Sequence, residues 1–342
     1  MGVRQLSPTG SERLRSTGLV PSWAVIPVAV VFLLGVSVPA SLQYLPLIVS
    51  VGLLGLPHGA VDHLAVARAR GREPDRRAIG RVVVLYVVVG GAYAVAWFLA
   101  PALSFVVFIL VTWFHWGQGD LYALGGLAGA DHLRSVPQRL ATVVVRGGLP
   151  MLVPLLAFPA WYRRVATDLV GLFAPTAATT LQWAFRPDVR AGLAVGYGVL
   201  AVGTLAVGFH RADDRRPWLL DAGETAGLVA YFAVVPPVLA IGLYFCLWHS
   251  LRHVARLLAV DDAAVAALEA DDIAGAFARF ARDAAPLTLV SLVLLGGLSL
   301  VVPNRPGTVA EAVALYLVFI AVVTLPHVVV VTVMDREQSV WS

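Results

Sequence analysis

The 342-residue sequence contains no lysine, because all 25 of its basic residues are arginine. A chain without lysine cannot form a Schiff base with a carbonyl ligand or supply the lysine of a phosphate-binding P-loop. It has one cysteine, Cys246, which excludes an intrachain disulfide and a cysteine-rich zinc or iron–sulfur site. Retinal-bearing rhodopsins, Walker-type ATPases and proteins with cysteine-rich zinc or iron–sulfur sites are therefore excluded.

Charged residues are scarce as well. They make up 13% of the chain, whereas soluble domains contain about 25%, and 59% of the chain is hydrophobic. Apolar stretches of about 20 residues, long enough to cross a bilayer, recur between short arginine-bearing loops. This composition excludes a water-soluble globular enzyme and predicts an all-α, polytopic membrane bundle. The arginines lie between apolar segments rather than on one face, so the net charge of +4 does not indicate nucleic-acid binding.

The apolar runs predict about ten transmembrane helices, with nine as the main alternative. Residues 22–38 follow a polar segment that lacks a convincing cleavage site, which indicates a retained first span rather than a signal peptide. Residues 159–190 could instead hold a re-entrant or interfacial helix, and residues 261–283 predict an amphipathic connector on the membrane surface. The other predicted spans lie near residues 42–65, 81–100, 102–124, 140–158, 191–209, 218–235, 237–258, 285–303 and 308–333.

Arginine-rich loops mark the cytoplasmic side of a membrane protein. If the ten spans alternate, most arginines fall on one side and both termini are cytoplasmic, as expected for a multi-pass protein of the plasma membrane. The sequence thus predicts a polar cytoplasmic segment at 1–20, one membrane-embedded catalytic domain at 21–335 and a short tail at 336–342.

Histidines are the main candidates for chemistry, because ionisable groups inside a membrane are costly and are often functional. Two of the eight, His132 and His210, lie in predicted loops beside Asp and Arg, and we expect them to be solvated. The others fall near the inner ends of predicted spans that share one direction, so a common depth and a shared metal site are favoured over scattered structural histidines. These are His58, His63, His115, His249, His253 and His327.

Spacing along a helix distinguishes these histidines. His249 and His253 are four residues apart, about 40° around a helix and about 6 Å in height, so both can bind one ion. His58 and His63 are five apart, about 140° around the helix, and we expect only one of them to be a ligand.

Asp62 comes four residues after His58 and lies on the same face of the predicted helix. A carboxylate there can hold a nearby imidazole in one tautomer. The alternative, about equally favoured, is a charge at the helix end that pairs with Arg68. Pro57 and Gly59 flank His58 and predict either a break that turns it toward the bundle axis or simple packing around small residues.

Imidazole ligands without cysteine suit iron, copper, zinc or nickel. Aromatic residues cluster around the histidines in sequence and would suit a long apolar or polyene substrate taken from the lipid. For each aromatic residue alone, a place in the interfacial aromatic belt is the alternative. The predicted substrate-tunnel residues are Trp113, Phe114, Trp116, Tyr244, Phe245 and Trp248.

Three separated motifs resemble those of the Brp/Blh family, the membrane β-carotene 15,15'-dioxygenases of archaea and bacteria that make retinal for rhodopsins. The resemblance extends from the second predicted span to Leu325-Pro326-His327. The motifs are Pro57-His58-Gly59-Ala60-x-Asp62-His63, Phe114-His115-Trp116-Gly117 with Asp120, and Trp248-His249-Ser250-x-Arg252-His253.

The resemblance implies a non-haem Fe(2+) dioxygenase that cleaves the central double bond of β-carotene with O2 to give two all-trans-retinal molecules. It implies a functional link to a retinal-binding rhodopsin. Four iron ligands are implied: His58, His115, His249 and His253. Asp62, His63, Asp120, Arg252 and His327 are expected to support the ligands or to face the substrate.

Three other classes also carry intramembrane histidines. A di-iron hydroxylase or desaturase normally needs more His-x-x-His-His-like boxes than this chain has. A bis-histidine haem cytochrome b places paired ligands on neighbouring helices. A metal or proton transporter predicts polar residues through the outer half of the bundle, where the even-numbered predicted spans are almost wholly apolar.

Overall fold

Helices make up nearly all of the fold, which we describe from a computed structural model over residues 7–341; no strand occurs in that range. Nine of the helices in this range, all except α3, α7, α9 and α11, are long and apolar enough to cross a membrane, which confirms a polytopic helical bundle. The helices are α1 (Pro8–Leu33), α2 (Ala40–Ala60), α3 (Asp62–Ala69), α4 (Arg76–Leu99), α5 (Pro101–Leu127), α6 (Val136–Ala157), α7 (Pro159–Gly171), α8 (Pro187–Arg211), α9 (Arg215–Val234), α10 (Pro237–Ala259), α11 (Asp262–Glu269), α12 (Ile273–Val301) and α13 (Val309–Glu337).

The predicted span at 218–235 is α9, a helix of 20 residues that is not among the nine apolar helices. Its sequence includes Asp221 and Glu224, which are buried inside the bundle, where α9 packs against α6 and the second half of α1. The nine apolar helices and α9 together account for the ten predicted segments.

Residues 159–190 contain two short helical segments before α8 begins. They are α7 and a 3-10 helix, Pro175–Phe185, which pack against each other. Both are much shorter than the roughly 20 residues that span a bilayer. The expectation of a non-spanning helical region here therefore agrees with the structure.

The single connector predicted at 261–283 is wrong in extent. Asp271 adopts a left-handed conformation with φ of 63°, which ends α11, and α12 begins two residues later. Asp tolerates this conformation better than most residues because its short polar side chain can bond locally. The segment predicted as one connector is thus divided between α11 and the first turns of the long helix α12.

The polar segment predicted at 1–20 is also helical from Pro8 onward, while residues 1–6 lie outside the described residues. Leu14 and Leu19 are buried, and Leu14 packs in one cluster with residues of α10 and α11. The segment predicted to be polar therefore also has apolar residues that pack inside the bundle.

Glycines allow α5 and α6 to approach until their backbones touch. A Cβ at Gly117 would lie 2.0 Å from the carbonyl oxygen of Val143, and a Cβ at Gly147 would lie 1.9 Å from that of Trp113. Small residues are the usual means of such close packing between membrane helices. This contact fixes the part of α5 that carries His115.

Candidate metal centre

Five histidines from four helices meet inside the bundle, and we call this group the histidine cluster. Their side chains are buried, with residues only 2–6% exposed. Ring centroids of eight pairs among them lie between 4.7 and 6.5 Å apart. The structure therefore brings together five of the six histidines expected at one depth. They are His58 on α2, His115 on α5, His249 and His253 on α10, and His327 on α13.

The nitrogen atoms of the cluster lie close enough to share an ion. The Nε2 atoms of His115 and His249 are 3.0 Å apart. One ligand atom from each of His58, His115 and His327 lies within 4.8 Å of the others, and Asp62, His253 and His327 form a second such group. A transition-metal ion suits this set of neutral imidazoles.

Three nitrogens of the cluster lack the hydrogen bonds that buried polar atoms normally make. Among the residues of the described chain, the Nδ1 atom of His115 and the Nε2 atoms of His253 and His327 are buried without a hydrogen-bond partner. Leaving a buried polar atom unpaired costs about 1–3 kcal/mol. A bound cation would satisfy the Nε2 atoms of His253 and His327, so the residues present fit a metal site.

A break in α2 positions His58. Residues 51–54 leave the regular helix, because Pro57 has no N–H to donate to the carbonyl of Leu53. The His58 Nδ1–H donates to the Leu54 carbonyl at 3.1 Å, which leaves the lone pair on Nε2 free for the cluster. Of the two predictions for Pro57 and Gly59, a helix break or simple packing around small residues, the structure shows the break.

The helix α10 carries two histidines on its inner side. It widens to π-helical turns over Tyr244–Ser250, which include His249, and regular helix resumes before His253. Such π turns occur often at functional sites. The two imidazoles lie nearly parallel, with an interplanar angle of 12° and centroids 6.5 Å apart. Both therefore reach the cluster, as their spacing predicts.

One of the two predictions for Asp62 was that its carboxylate holds an imidazole. It does so, but the imidazole is that of His327 rather than that of His58. The His327 Nδ1–H donates to Asp62 Oδ2 at 2.8 Å. The hydroxyl of Tyr86 donates to the same oxygen at 2.6 Å. Asp62 and His327 are 265 positions apart in the sequence, so the spacing of residues along one helix could not predict their contact.

The alternative for Asp62, a pair with Arg68, does not occur. Arg68 instead binds Asp261 at 2.8 Å and Asp283 at 2.7 Å. His63 is half-buried, and its Nδ1–H donates to the Ala60 carbonyl at 3.0 Å. The structure thus brings His58, and not His63, into the cluster.

A second buried polar group lies behind α10, and we call it the charge network. Arg252 donates to Glu224 at 2.6 and 3.2 Å, and Arg146 donates to Asp120 at 2.8 Å and to Glu224. Buried charges are stable only when they are paired and hydrogen-bonded. The network consists of two guanidinium groups and three carboxylates: Arg146, Arg252, Asp120, Asp221 and Glu224.

The charge network also fixes the residues that precede the two histidines of α10. Trp248 donates from Nε1 to Asp120 at 2.9 Å, and the guanidinium of Arg252 lies over the Trp248 ring at 3.6 Å. Trp248 and Arg252 each stand one residue before a histidine of the cluster. The network therefore sets the rotation of α10 about its axis.

Sequence reasoning identified Asp120 and Arg252 but missed the other members of the network. Arg146 is the single charge in its predicted span, and Asp221 and Glu224 are the two charges in theirs; charges inside predicted spans were the available signal. The expectation that His132 is solvated is wrong: it is 1% exposed, and its Nε2 lies 3.1 Å from Asp221 Oδ2. The loop that carries His132 folds against Gly208 of α8, which covers the ring. His210 is exposed, as expected.

An apolar cavity of about 930 Å³ borders the histidine cluster. His58, His115, His249 and His327 lie on its wall, and the rest of the lining is almost entirely hydrophobic. Ligand sites of this size are usually apolar with a few converging polar groups. The cavity extends between α4, α12 and α13, so a long apolar molecule can reach the cluster.

Of the six aromatic residues predicted to line a tunnel, Trp116 and Phe245 line this cavity. The structure does not bring the other four to its wall, because their positions turn them toward neighbouring helices. Trp113 donates to the Val144 carbonyl at 2.8 Å, and Trp248 donates to Asp120. Tyr244 stacks on Trp248, while Phe114 packs in a separate cluster with Leu121.

Comparison with known proteins finds relatives along almost the whole chain. The family model described as beta-carotene 15,15'-dioxygenase matches residues 49–335, which include all five histidines of the cluster. The chain is 46% identical over 341 residues to the "Probable beta-carotene 15,15'-dioxygenase Blh" of Halobacterium salinarum, covering 99% of this chain and 98% of that protein. It is 36% identical over 330 residues to "Probable beta-carotene 15,15'-dioxygenase Brp" of the same species, covering 90% and 88%.

A more distant relative is the "Beta-carotene 15,15'-dioxygenase" of the uncultured marine bacterium 66A03. It is 25% identical over 202 residues, which cover 58% of this chain and 64% of that protein. No solved structure matches the chain.

Proposed function

Since the chain belongs to the family of β-carotene 15,15'-dioxygenases and is therefore an enzyme that cleaves β-carotene, we propose that its histidine cluster holds the Fe(2+) of the reaction. The products are two molecules of all-trans-retinal from one β-carotene and one O2. The observation that carries the proposal is the contact between a buried, carboxylate-anchored group of imidazoles and a large apolar cavity.

The proposed ligands are His58, His115, His249 and His253. When bound, Fe(2+) supplies the activation of O2 beside an electron-rich polyene. The protein holds the imidazoles in place: the Leu54 carbonyl accepts the hydrogen bond from Nδ1–H of His58, and helix packing holds the other rings. No nucleophile or general base from the protein is required for this cleavage.

The cavity would position the substrate. Trp116 and Phe245 border the cluster, and aromatic walls exclude water and contact a flat polyene closely. Positioning of this kind can contribute a large part of a rate enhancement, because the reacting bond is held beside the reactive centre. A cavity that admits one arm of β-carotene on each side of the cluster would select the central double bond.

Asp120 and Arg252 would act through the helix that they anchor. Asp120 accepts from Trp248, and Arg252 donates to Glu224. Because these bonds fix α10 on the side away from the cavity, they keep His249 and His253 directed into the cluster. Neither residue would contact the substrate.

The same proposal includes the surroundings of the enzyme. One catalytic domain over residues 21–335 would lie in the plasma membrane with both termini cytoplasmic, because arginine-bearing loops favour that side. β-Carotene would enter from the lipid, and retinal would pass to a retinal-binding rhodopsin.

Metal analysis of the purified full-length chain tests the proposed centre. We expect one iron per chain in the unmodified protein and in His210→Ala, whose exposed ring lies outside the cluster. His249→Ala should lose most of the iron. Two irons per chain would favour a di-iron hydroxylase, and a Soret band would indicate a haem cytochrome.

A further inference from the structure

His327 lies as deep in the histidine cluster as the four proposed ligands. Its ring centroid is 4.7 Å from that of His115, 5.2 Å from that of His58 and 5.1 Å from that of His253. A group that only supports ligands from behind would lie on the far side of one of them. His327 instead faces the same space and lies on the cavity wall.

The hydrogen bonds of His327 determine which nitrogen faces the cluster. Its Nδ1–H donates to Asp62 at 2.8 Å, so Nε2 carries the lone pair. That Nε2 atom is buried, and no hydrogen-bond donor reaches it within residues 7–341. The atoms around it are other imidazoles and the apolar lining of the cavity. A lone pair in these surroundings requires a cation or a bound molecule.

A carboxylate on the outer nitrogen is the usual companion of a metal-bound histidine, since it fixes the tautomer and makes the ring a better ligand. Of the four proposed ligands, His58 has its outer nitrogen held by a backbone carbonyl. Asp62 is in turn held by the Tyr86 hydroxyl at 2.6 Å, so three helices, α3, α4 and α13, fix the His327 ring.

We propose that His327 is a fifth imidazole ligand of the metal, and that Asp62 and Tyr86 are positioning residues that fix its ring. This inference rests on the proposed metal centre but adds a ligand to the four histidines. A five-histidine site leaves fewer open positions for O2 than a four-histidine site, so His327 would restrict how the oxygen meets the polyene.

Binding of Co(2+) tests this inference separately from activity. Co(2+) is the probe because its visible bands change in energy and intensity with the number and arrangement of ligands. The full-length chain in detergent is stripped with a chelator and titrated. We expect His327→Ala to weaken Co(2+) binding by about 10-fold or more and to change the spectrum. Added imidazole should restore the original spectrum by filling the vacated position.

Matched variants separate a ligand from a structural role. His210→Ala removes an exposed imidazole and should leave affinity and spectrum unchanged. Asp62→Asn should weaken Co(2+) binding by about 10-fold to 100-fold, with partial recovery in Asp62→Glu, and Tyr86→Phe should weaken it less. Because Asp62 lies behind the ring, its variants should keep the five-ligand spectrum once saturated.

The outcomes are distinct. If His327→Ala binds Co(2+) with the affinity and spectrum of the unmodified chain, His327 is not a ligand and the inference is overturned. If His327→Ala does not fold, His327→Phe, which keeps a ring but has no nitrogen, is titrated in its place, and unchanged affinity and spectrum in that variant overturn the inference. If the unmodified, folded chain binds no metal, the proposed function fails instead.

Discussion

His115 and His249 face each other between α5 and α10 with their Nε2 atoms 3.0 Å apart. Metal–imidazole bonds are about 2.0–2.1 Å long, so two neighbouring ligands at right angles on one ion lie about 3 Å apart. The two rings already have this separation, although each is fixed by a different helix. The site is therefore built by helix packing rather than by a flexible loop.

Gly117→Ala tests the packing that fixes His115. The added Cβ would lie 2.0 Å from the Val143 carbonyl oxygen, so α5 and α6 must separate. We expect a loss of about 1–3 kcal/mol in the free energy of unfolding, as for other overpacked sites, together with weaker metal binding. Thermal unfolding in detergent measures the first effect, and metal titration the second.

The control for this change is Gly198→Ala on α8, where a Cβ meets nothing within 4 Å. Alanine is the better helix former by about 1 kcal/mol, so stability should be equal or higher. If Gly117→Ala matched this control, the close contact would not be what positions His115.

Glu224→Gln tests the charge network. The substitution leaves the guanidiniums of Arg146 and Arg252 buried with less negative charge, and breaking a buried ion pair costs about 3–5 kcal/mol. We expect a large drop in thermal stability and in metal content. Asp188→Asn, which removes an exposed pair with Arg186, should cost about 0–1 kcal/mol. Equal effects of the two substitutions would contradict a structural role for the network.

Thr112→Phe tests the cavity as the substrate site. Thr112 is buried on the cavity wall, three residues before His115, so a phenyl ring there fills space beside the cluster. We expect much slower cleavage of β-carotene with the metal content unchanged. The control, Thr204→Phe on α8, lies outside the cavity and should cleave normally. Normal cleavage by both variants would place the substrate elsewhere.

The carboxyl group of Asp261 makes stability depend on pH. Burial alone would raise its pKa, but hydrogen bonds from Arg279 and the Ala264 amide, together with the Arg68 charge, outweigh burial, so the pKa lies below its usual value. A lowered folded-state pKa gives stability that is present above the unfolded pKa of about 3.9 and is lost as pH falls through the folded pKa.

We therefore expect Asp261→Asn to be less stable than the unmodified chain at pH 7, with the difference shrinking below about pH 4. Thermal unfolding across this range measures it. Asp213→Asn, which removes an exposed carboxylate, is the control and should have little effect. A difference that stays constant between pH 7 and pH 3 would show that the ionised carboxylate is not what stabilises the fold.

Much of the site could be predicted from the sequence, because the direction of the spans and the spacing along one helix determine where most of its histidines lie. Counting spans placed the histidines at one level, since alternate spans share a direction. The four-residue spacing of His249 and His253 placed both on one side of α10. These inferences depend on helix geometry alone, which is why the structure brings those histidines together.

Contacts between distant helices could not be predicted in the same way. Asp62 shares a helix face with His58 in sequence, yet it binds His327, because the packing of α3 against α13 decides its partner. Trp248 is adjacent to His249 but points the other way, since successive residues on a helix differ by about 100°. Nearness to a histidine in sequence therefore identified only two of the six predicted residues, Trp116 and Phe245, as part of the cavity wall.

Pigment analysis tests the central claim most directly. The unmodified chain, His249→Ala and His210→Ala are expressed in a β-carotene-accumulating bacterial strain, and the extracted pigments are separated by chromatography. The account predicts loss of β-carotene and appearance of all-trans-retinal with the unmodified chain and with His210→Ala, and neither change with His249→Ala. Full retinal production by folded His249→Ala would contradict the histidine-bound centre, and unchanged β-carotene with folded, metal-loaded protein would contradict the cleavage itself.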